Sequence, residues 1–473
     1  MFSNSEEMLR FIKDLNVEML DLKVIDLHGR WHHMTYSTRY LKESIFTEGT
    51  GISLSPYPGY RAVNQGDMKV IPDPTTAFLD PFYEAKTLSV ICDLYNNDGT
   101  PYERDPRRIA KRAEAFIAEC GIDAESLWLP ELEFYIFDRV RYGSFIWKSF
   151  YEIDCDWAFW NAEDENSLGS KLPATGVGQA DAPRDRLFNI RTEIVRRIEN
   201  AGYPVKYHHH ELGGPGQSEI EPHIGPLLKM ADCIMVMKYM ASNTCREYDK
   251  TMTCMPKPMH DVPGSGMHFH QYLSKNGKSL FFDEKGYAKL SGMALNYLGG
   301  LFKHTPAIMA ITNPSTNSYC RFGVGMAAPM NLFFGESNRS SSIRIPGYAE
   351  NEFEQRVEYR LPDGICNPYL AMAAQLMAGL DGIRNKIDPT AEGYGPYDFN
   401  NYELPEEEKA KIKSTPSSVE ETLAAIQKDN DFLTAGGVFP AEIIDTWVKL
   451  KRSELAMIKS RPHPVEFELY YDL

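Results

Sequence analysis

Residues 127–138 read LWLPELEFYIFD, and the split of faces within this run decides the fold. Side chains alternate across a β-strand, so Glu131 and Glu133 share one face while Leu132 and Phe134 share the other. The same period of two recurs in SGMHFHQYL, where His268 and His270 lie opposite Met267 and Phe269. It pairs Glu219 with Glu221 in GQSEIEP, and groups Arg356, Glu358 and Arg360 in QRVEYRLPD opposite Val357, Tyr359 and Leu361. The run HHHE adds Glu211. Taken singly, each strand fits a half-exposed sheet with one solvated face. Taken together, strongly apolar faces set against carboxylates, imidazoles and guanidiniums fit that reading poorly. A cluster of carboxylates on adjacent strands repels itself unless cations neutralise it. Oxygen-rich ligands with an imidazole suit Mg²⁺ or Mn²⁺ rather than structural Zn²⁺. Guanidiniums beside them suit phosphate or carboxylate recognition. The residues alone thus point to a two-metal, phosphate-handling site inside a curved antiparallel sheet. Arg321 in NSYCRFG, and Arg339 and Arg344 in NRSSSIRIPGY, bring further guanidiniums.

Working outward, strands are expected at 127–137, 203–212, 217–223, 266–273, 340–345 and 355–361. Helices are expected at 184–201, 226–249, 287–304, 368–386 and 439–460. Upstream, apolar positions Met8, Leu9, Phe11, Ile12 and Leu15 predict a helix over 5–15 after a Ser5 cap. Two strands around the turn Asp26-Leu27-His28-Gly29 then open a small sheet. Residues 45–75 read as a long shaped loop. Asp105-Pro106 gives a cap and a proline at the first helical position, which puts a domain boundary near residue 104. Residues 387–418 are rich in Pro, Glu and Gly and read as an exposed loop. The apolar, aromatic tail from His463 to Leu473 suggests a partner surface, or else a strand packed on its own domain. The class is α+β, with a small domain over 1–104 and a large one over 105–473.

Composition narrows the function. The chain has 473 residues, with 50 Lys+Arg against 66 Asp+Glu and a net charge of −16. Nucleic-acid binders usually carry a basic surplus, so that class is excluded as the main role. The start, with Glu6, Glu7 and Asp14, has no apolar core of a secretion signal, and no apolar run reaches a membrane span. The 8 cysteines show no C-x-x-C pair and read as buried free thiols in a reducing cytoplasm. Neither a Walker loop nor a Rossmann fingerprint occurs.

At this point the motifs resemble a known family. PELEFYIFD, HHHE followed by GQSE, MPKP, GSGMHFH, NPSTNSYCR, NRSSSIRIP, VEYRLPDGICNPYLA and the tail FLTAGGVF…RPHPVEFELYY are similar, in order, to type I glutamine synthetase. The resemblance implies an N-terminal β-grasp domain (1–104) and a glutamine synthetase-type catalytic domain (105–473). It implies a homododecamer of two stacked hexameric rings, with active sites between neighbouring subunits and the tail as a strap docked into the opposite ring. It implies two divalent cations, Mg²⁺ or Mn²⁺, with Glu133, Glu211 and Glu219 holding one and Glu131, His268 and Glu358 the other. Arg321 and the backbone of Gly264 would bind glutamate, and Glu133 would border that substrate. Arg339 and Arg344 would grip the transferring phosphoryl group and Arg360 the γ-carboxylate. His209, His270, Arg344 and Arg356 match positions at ATP. Tyr402, in NNYELPEEE, matches a tyrosine that some bacterial members adenylylate. The implied chemistry is phosphorylation of glutamate by ATP, then attack by ammonia or an amine.

The pattern breaks at three places. Ser53 replaces an aspartate that helps bind and deprotonate ammonium in the family, and Ala327 replaces a glutamate of the flap. Lys206, Ile224, Tyr272 and Phe353 alter positions on the nucleotide side, and Pro263 replaces an asparagine beside the glutamate site. Ammonium is a cation at neutral pH, so a selective pocket needs an anion to hold it and a base to take its proton. Loss of both carboxylates favours a larger amine as acceptor, giving a γ-glutamylamide. Other carboxylates, Asp67 among them, could instead support ordinary glutamine synthesis. A non-catalytic ring assembly is the third expectation.

Overall fold

The computed structural model describes residues 2–323 and 328–473. Helix α1 (Ser5–Asp14) leads into a six-stranded sheet of β1 (Met19–Ile25), β2 (Trp31–Ser37), β3 (Thr50–Ser53), β4 (Asp67–Pro72), β5 (Phe78–Leu79) and β6 (Thr87–Tyr95). The order is β2-β1-β6-β4-β3 with β5 beside β6, and β1 runs parallel to β6. Alternating Leu20, Leu22 and Val24 of β1 face α1 residues Met8 and Ile12 in a core of their own. That separate core is what makes this part a domain.

Helix α2 (Pro106–Glu119) then opens the larger part, capped by Asp105 with Pro106 in the first turn. Its centre is a ten-stranded sheet in the order β10-β11-β7-β14-β18-β17-β16. The long strands are β7 (Glu125–Phe137), β10 (Val205–His210), β11 (Gln217–Pro222) and β14 (Met267–Lys275); β16 (Phe334–Glu336), β17 (Ile343–Ile345) and β18 (Val357–Tyr359) close one side. Short β12 (Gly225–Pro226) and β13 (Thr251–Thr253) add to β7, and β15 (Lys278–Ser279) to β14. A hairpin, β8 (Arg139–Ser144) and β9 (Ser149–Asp154), stands apart. Helices α3 (Phe188–Asn200), α4 (Leu227–Glu247), α5 (Gly292–Thr312) and α7 (Pro368–Asn385) supply apolar side chains to one large core behind the sheet. The short α6 (Thr316–Gly323), α8 (Glu406–Lys409), α9 (Val419–Lys428) and α10 (Asp431–Thr434) precede the long α11 (Ala441–Lys459) and the terminal α12 (Pro464–Tyr470).

Several expectations need correction. Helix α1 is capped by Asn4, whose side chain accepts from the Glu7 amide, and not by Ser5. The helix expected at 287–304 starts only after the Ser291 cap and continues to Thr312 through Pro306, because both flanks of that proline are buried in the core. Residues 387–418 are not simply exposed: Tyr394, Asn401 and Ile412 are buried. Of the cysteines, Cys120 and Cys254 are half-buried and Cys320 is exposed, although all are free. The tail is no strand on its own domain. His463 and Glu466 form a reciprocal cap with Pro464 in the first turn, so 464–470 is helical, and it has no buried residue.

Candidate active site

Register, rather than the face pattern alone, assembles the site. Across β14 and β7 His268 lies opposite Glu131, and across β11 and β7 Glu219 lies opposite Glu133. His209 of β10 faces Glu219, His270 of β14 faces Glu358 of β18, and Arg344 of β17 also faces Glu358. Each pair is a direct cross-strand neighbour, so charged residues far apart in sequence become a continuous row. Glu211 sits just past β10, where its amide donates to the Gln217 carbonyl at 2.9 Å.

Two histidines bracket Glu131. His268 Nδ1 lies 2.9 Å from Oε2 and His270 Nε2 2.8 Å from Oε1. Arg356 Nε donates to His270 Nδ1 at 3.3 Å, which leaves a ring proton on Nε2, the nitrogen facing Glu131. Arg321 Nη2, 3.3 Å from His268 Nε2, likewise leaves the His268 proton on Nδ1. His268 Nδ1 is also 3.5 Å from Glu358, and Nε2 is 3.8 Å from Glu133. Glu133 turns its other oxygen to the Gly266 amide at 2.8 Å and to Gln217 Nε2 at 3.2 Å. His209 lies 3.4 Å from Glu219 and 3.6 Å from Glu211.

The electrostatics divide the carboxylates into two kinds. Burial would raise Glu131, but His270 and His268 outweigh it and hold it well below the usual range. Burial likewise opposes ionisation of Glu358, yet Arg360 and Arg344 bring it down to about 2. On the other side, burial and the Glu211 charge push Glu133 up to about 7. Burial raises Glu211, and raises Glu219 well above normal even against His209. Burial and Arg360 lower His268 to about 4, so it is a neutral donor of lone pairs at physiological pH.

A raised set of carboxylates is a demand for positive charge. Three groups place their ligand atoms within 4.8 Å of one another: Glu131, His270 and Glu358; His209, Glu211 and Glu219; and Glu131, Glu219 and Glu221. Oxygen donors dominate all three, which fits hard divalent cations. The expected ligands Glu133 and His268 are outside these tightest groups, while His209 and His270, expected at the nucleotide, are inside them. Glu221 joins the third group without having been expected as a ligand, although it shares a strand face with Glu219; it also pairs with Lys206 at 2.5 Å and accepts from Tyr207. Gln217 was missed too. It shares the face of Glu219 and ties Glu133 to the Gly264 carbonyl, at 3.2 and 3.0 Å.

Guanidiniums border the carboxylates. Arg344 and Arg360 both donate to Glu358, and Arg360 Nε is buried with no partner among the described residues. Arg339 is exposed, and its charge acts on Glu211. Arg321, on α6, donates to the Leu361 carbonyl at 2.9 Å and is 4% exposed, with burial lowering its pKa. Gly264 lies against it: a Cβ there would sit 2.8 Å from Arg321 Cγ and 2.4 Å from the Pro256 carbonyl oxygen, so only glycine fits. Arg356 and Arg344 both lie over the Tyr348 ring, at 5.4 and 5.8 Å. Ser53 is not among these residues. It sits exposed on β3 of the small domain, with its hydroxyl 3.3 Å from that of Ser55. Ala327 lies outside the described residues. Tyr402 is 41% exposed on the 387–418 segment.

Comparison with known proteins agrees along the whole chain. A family model described as glutamine synthetase, catalytic domain, matches residues 103–470, and one described as glutamine synthetase, beta-Grasp domain, matches 16–97. The chain is 44% identical to a glutamine synthetase of Frankia alni, covering 100% of both, and 43% identical to one of Nostoc sp., covering 99% of both. A cryo-electron microscopy structure of Plasmodium falciparum glutamine synthetase superposes with a TM-score of 0.88 at 26% identity, over 99% of each chain.

Proposed function

The chain belongs to the glutamine synthetase family of ATP-dependent ligases, and on that premise we propose that it joins the γ-carboxylate of glutamate to an amine larger than ammonia. The residues divide the work as follows. Arg321 and the Gly264 backbone orient the α-carboxylate of glutamate, with Glu133 alongside, and Arg360 holds the γ-carboxylate. Arg339 and Arg344 steady the transferring phosphoryl group, while His209, His270, Arg344 and Arg356 position ATP. Glu133, Glu211 and Glu219 would hold one divalent cation and Glu131, His268 and Glu358 the other; when bound, Mg²⁺ or Mn²⁺ neutralises phosphate oxygens. An oxygen of the γ-carboxylate attacks the γ-phosphorus and ADP leaves. The amine nitrogen then attacks the acyl carbon, inorganic phosphate leaves, and the nitrogen loses a proton.

Ser53 carries the acceptor reading. A hydroxyl cannot hold an ammonium ion by charge or take its proton, and Ala327 removes a second carboxylate by sequence. Plain glutamine synthesis is favoured by one specific relationship: Asp67 lies directly opposite Ser53 across β3 and β4, so a carboxylate is available on the same edge. Full-length relatives carrying the name glutamine synthetase favour it as well. Phosphate release from ATP, Mg²⁺ and glutamate, measured with ammonium and with a panel of primary amines, separates the two. Efficient turnover with millimolar or lower ammonium would overturn the amine reading.

The domains in this reading run over 1–104 and 105–473, and the active assembly is a homododecamer of two hexameric rings. The exposed Phe467, Leu469 and Tyr471 of the tail, and Tyr142, Ile146 and Trp147 of the β8–β9 hairpin, are surface offered to other copies. The setting is cytoplasmic, in keeping with eight free cysteines. Among the described residues no helix is long and apolar enough to cross a membrane. Tyr402 is the position available for adenylylation.

A further inference from the structure

Away from the carboxylate cluster, a cavity of about 690 Å³ opens at the seam between the small domain and the catalytic domain. Four arginines line it: Arg61 from the loop after β3, Arg104 from the link between the domains, and Arg108 and Arg112 from α2. The chain carries a net charge of −16, so four guanidiniums around one cavity, against only Glu103 and Glu442, are a marked local reversal.

The pairing inside the cavity is incomplete. Glu103 is shared by Arg112, which it meets directly, and Arg108, which stands 4.0 Å away. Arg61 bonds the Asn96 side chain, and among the described residues neither Arg61 nor Arg104 reaches a carboxylate. Both instead flank the ring of Tyr102, at 5.4 and 5.8 Å from its centroid. Tyr102 lines the same cavity and is 5% exposed, and its hydroxyl has no hydrogen-bond partner among the described residues. Burial raises the Tyr102 pKa, and the neighbouring Arg104 and Arg61 act against that rise. Arg108 Nε is likewise buried without a partner. Buried donors are seldom left unmade, and each one costs free energy until something accepts from it. Two unmade donors therefore belong to side chains that line a space holding excess positive charge.

We propose that this seam is a binding site for a small dianion, a phosphomonoester or a dicarboxylate, gripped by Arg61, Arg104 and Arg108 and accepting a hydrogen bond from Tyr102. Planar guanidinium forks match both oxyanion geometries. The walls come from both domains, from Gly437 and Pro440 before α11 and from Glu442 in its first turn, so the bound anion ties them together. It is separate from the phosphoryl-handling arginines, since Arg339, Arg344 and Arg360 are not part of its lining.

The test is calorimetric titration of the full-length protein with inorganic phosphate and, separately, with succinate. Phosphate also has affinity for the catalytic arginines, so the Arg339→Gln background is used to reduce that signal. Arg108→Gln in this background is expected to weaken the remaining binding by about tenfold or more, with Arg108→Lys in between. Tyr102→Phe, which keeps the ring in place, is expected to weaken it by several-fold. The two titrants decide the source: preference for phosphate assigns a phosphomonoester, and preference for succinate a dicarboxylate. Isotherms unchanged by both Arg108→Gln and Tyr102→Phe, or absence of any binding of either anion in the Arg339→Gln protein, would overturn the proposal.

Discussion

Arg360 donates to Glu358 from two residues along the same chain segment, Nη1 to Oε1 at 2.5 Å, and both side chains are buried. Arg344 donates to the other oxygen of the same carboxylate from the neighbouring strand. One glutamate thus holds two buried guanidiniums apart and aims them across the site. Glu358→Ala leaves those cations with no counter-charge, and breaking a buried pair in this way costs about 3–5 kcal/mol. The expected outcome is a large loss of stability in urea unfolding of the metal-free protein. Glu211→Gln, at a site where burial already disfavours the charge, should leave the metal-free stability unchanged or higher.

Cation binding reads the other carboxylates. Changes to groups that merely support a ligand cost 10–100-fold in affinity, so loss of a direct ligand should cost at least about tenfold. Glu219→Gln and Glu131→Gln are each expected to weaken Mg²⁺ or Mn²⁺ binding by that margin in calorimetry and to abolish phosphate release. A chelator should lower the melting temperature of the wild type, with Mg²⁺ restoring it. A melting temperature indifferent to both would remove the two-cation assignment.

The acceptor site makes a gain-of-function prediction. Ser53→Asp places a carboxylate at the edge of β3 and should raise kcat/KM for ammonium relative to a primary amine by roughly tenfold, the worth of about 1.4 kcal/mol. Asp67→Asn distinguishes the second reading: if ammonium is the native acceptor through Asp67, this variant loses ammonium turnover, and if an amine is native it does not.

On α5, His304 carries a pH signature. It is 2% exposed on α5, with Nε2 2.9 Å from Asp381 and Nδ1 2.7 Å from Asp429. Burial and Lys303 lower its pKa, but the two carboxylates prevail and the net shift is upward. A histidine that binds its proton more tightly when folded adds stability that is complete below the unfolded pKa and is lost as pH rises through the folded one. The stability gap between wild type and His304→Gln should therefore be widest near pH 6 and narrow toward pH 9, as measured by chemical denaturation across that range.

How much of this could be read beforehand differs by residue. Glu131, Glu133, His268, Glu219 and Glu358 announced themselves, because alternation in a strand is local and an apolar opposite face shows which side is buried. The cap of α2 at Asp105 and Pro106 was legible for the same reason. Helix α5 was misplaced at both ends, since a uniformly apolar stretch gives no periodic edge and the core around Pro306 overrode a local breaker. Gln217 escaped notice because a single amide has no pattern of its own; its meaning lies in reaching Glu133 and Gly264.

Sequence by itself determined the strand faces, the acidic composition, the family motifs and the substitutions at Ser53 and Ala327. All of these are local or compositional. The tertiary structure decided which charged face lies beside which, because register between β7, β11, β14 and β18 depends on long-range pairing and not on any one segment. It also decided what the seam contains: Arg107 of α2 reaches Asp232 on α4, at 3.0 and 3.1 Å, and Asp73 and Asp93 of the small domain. A buried charge has no sequence period, so only the folded chain reveals the partners that make its burial affordable.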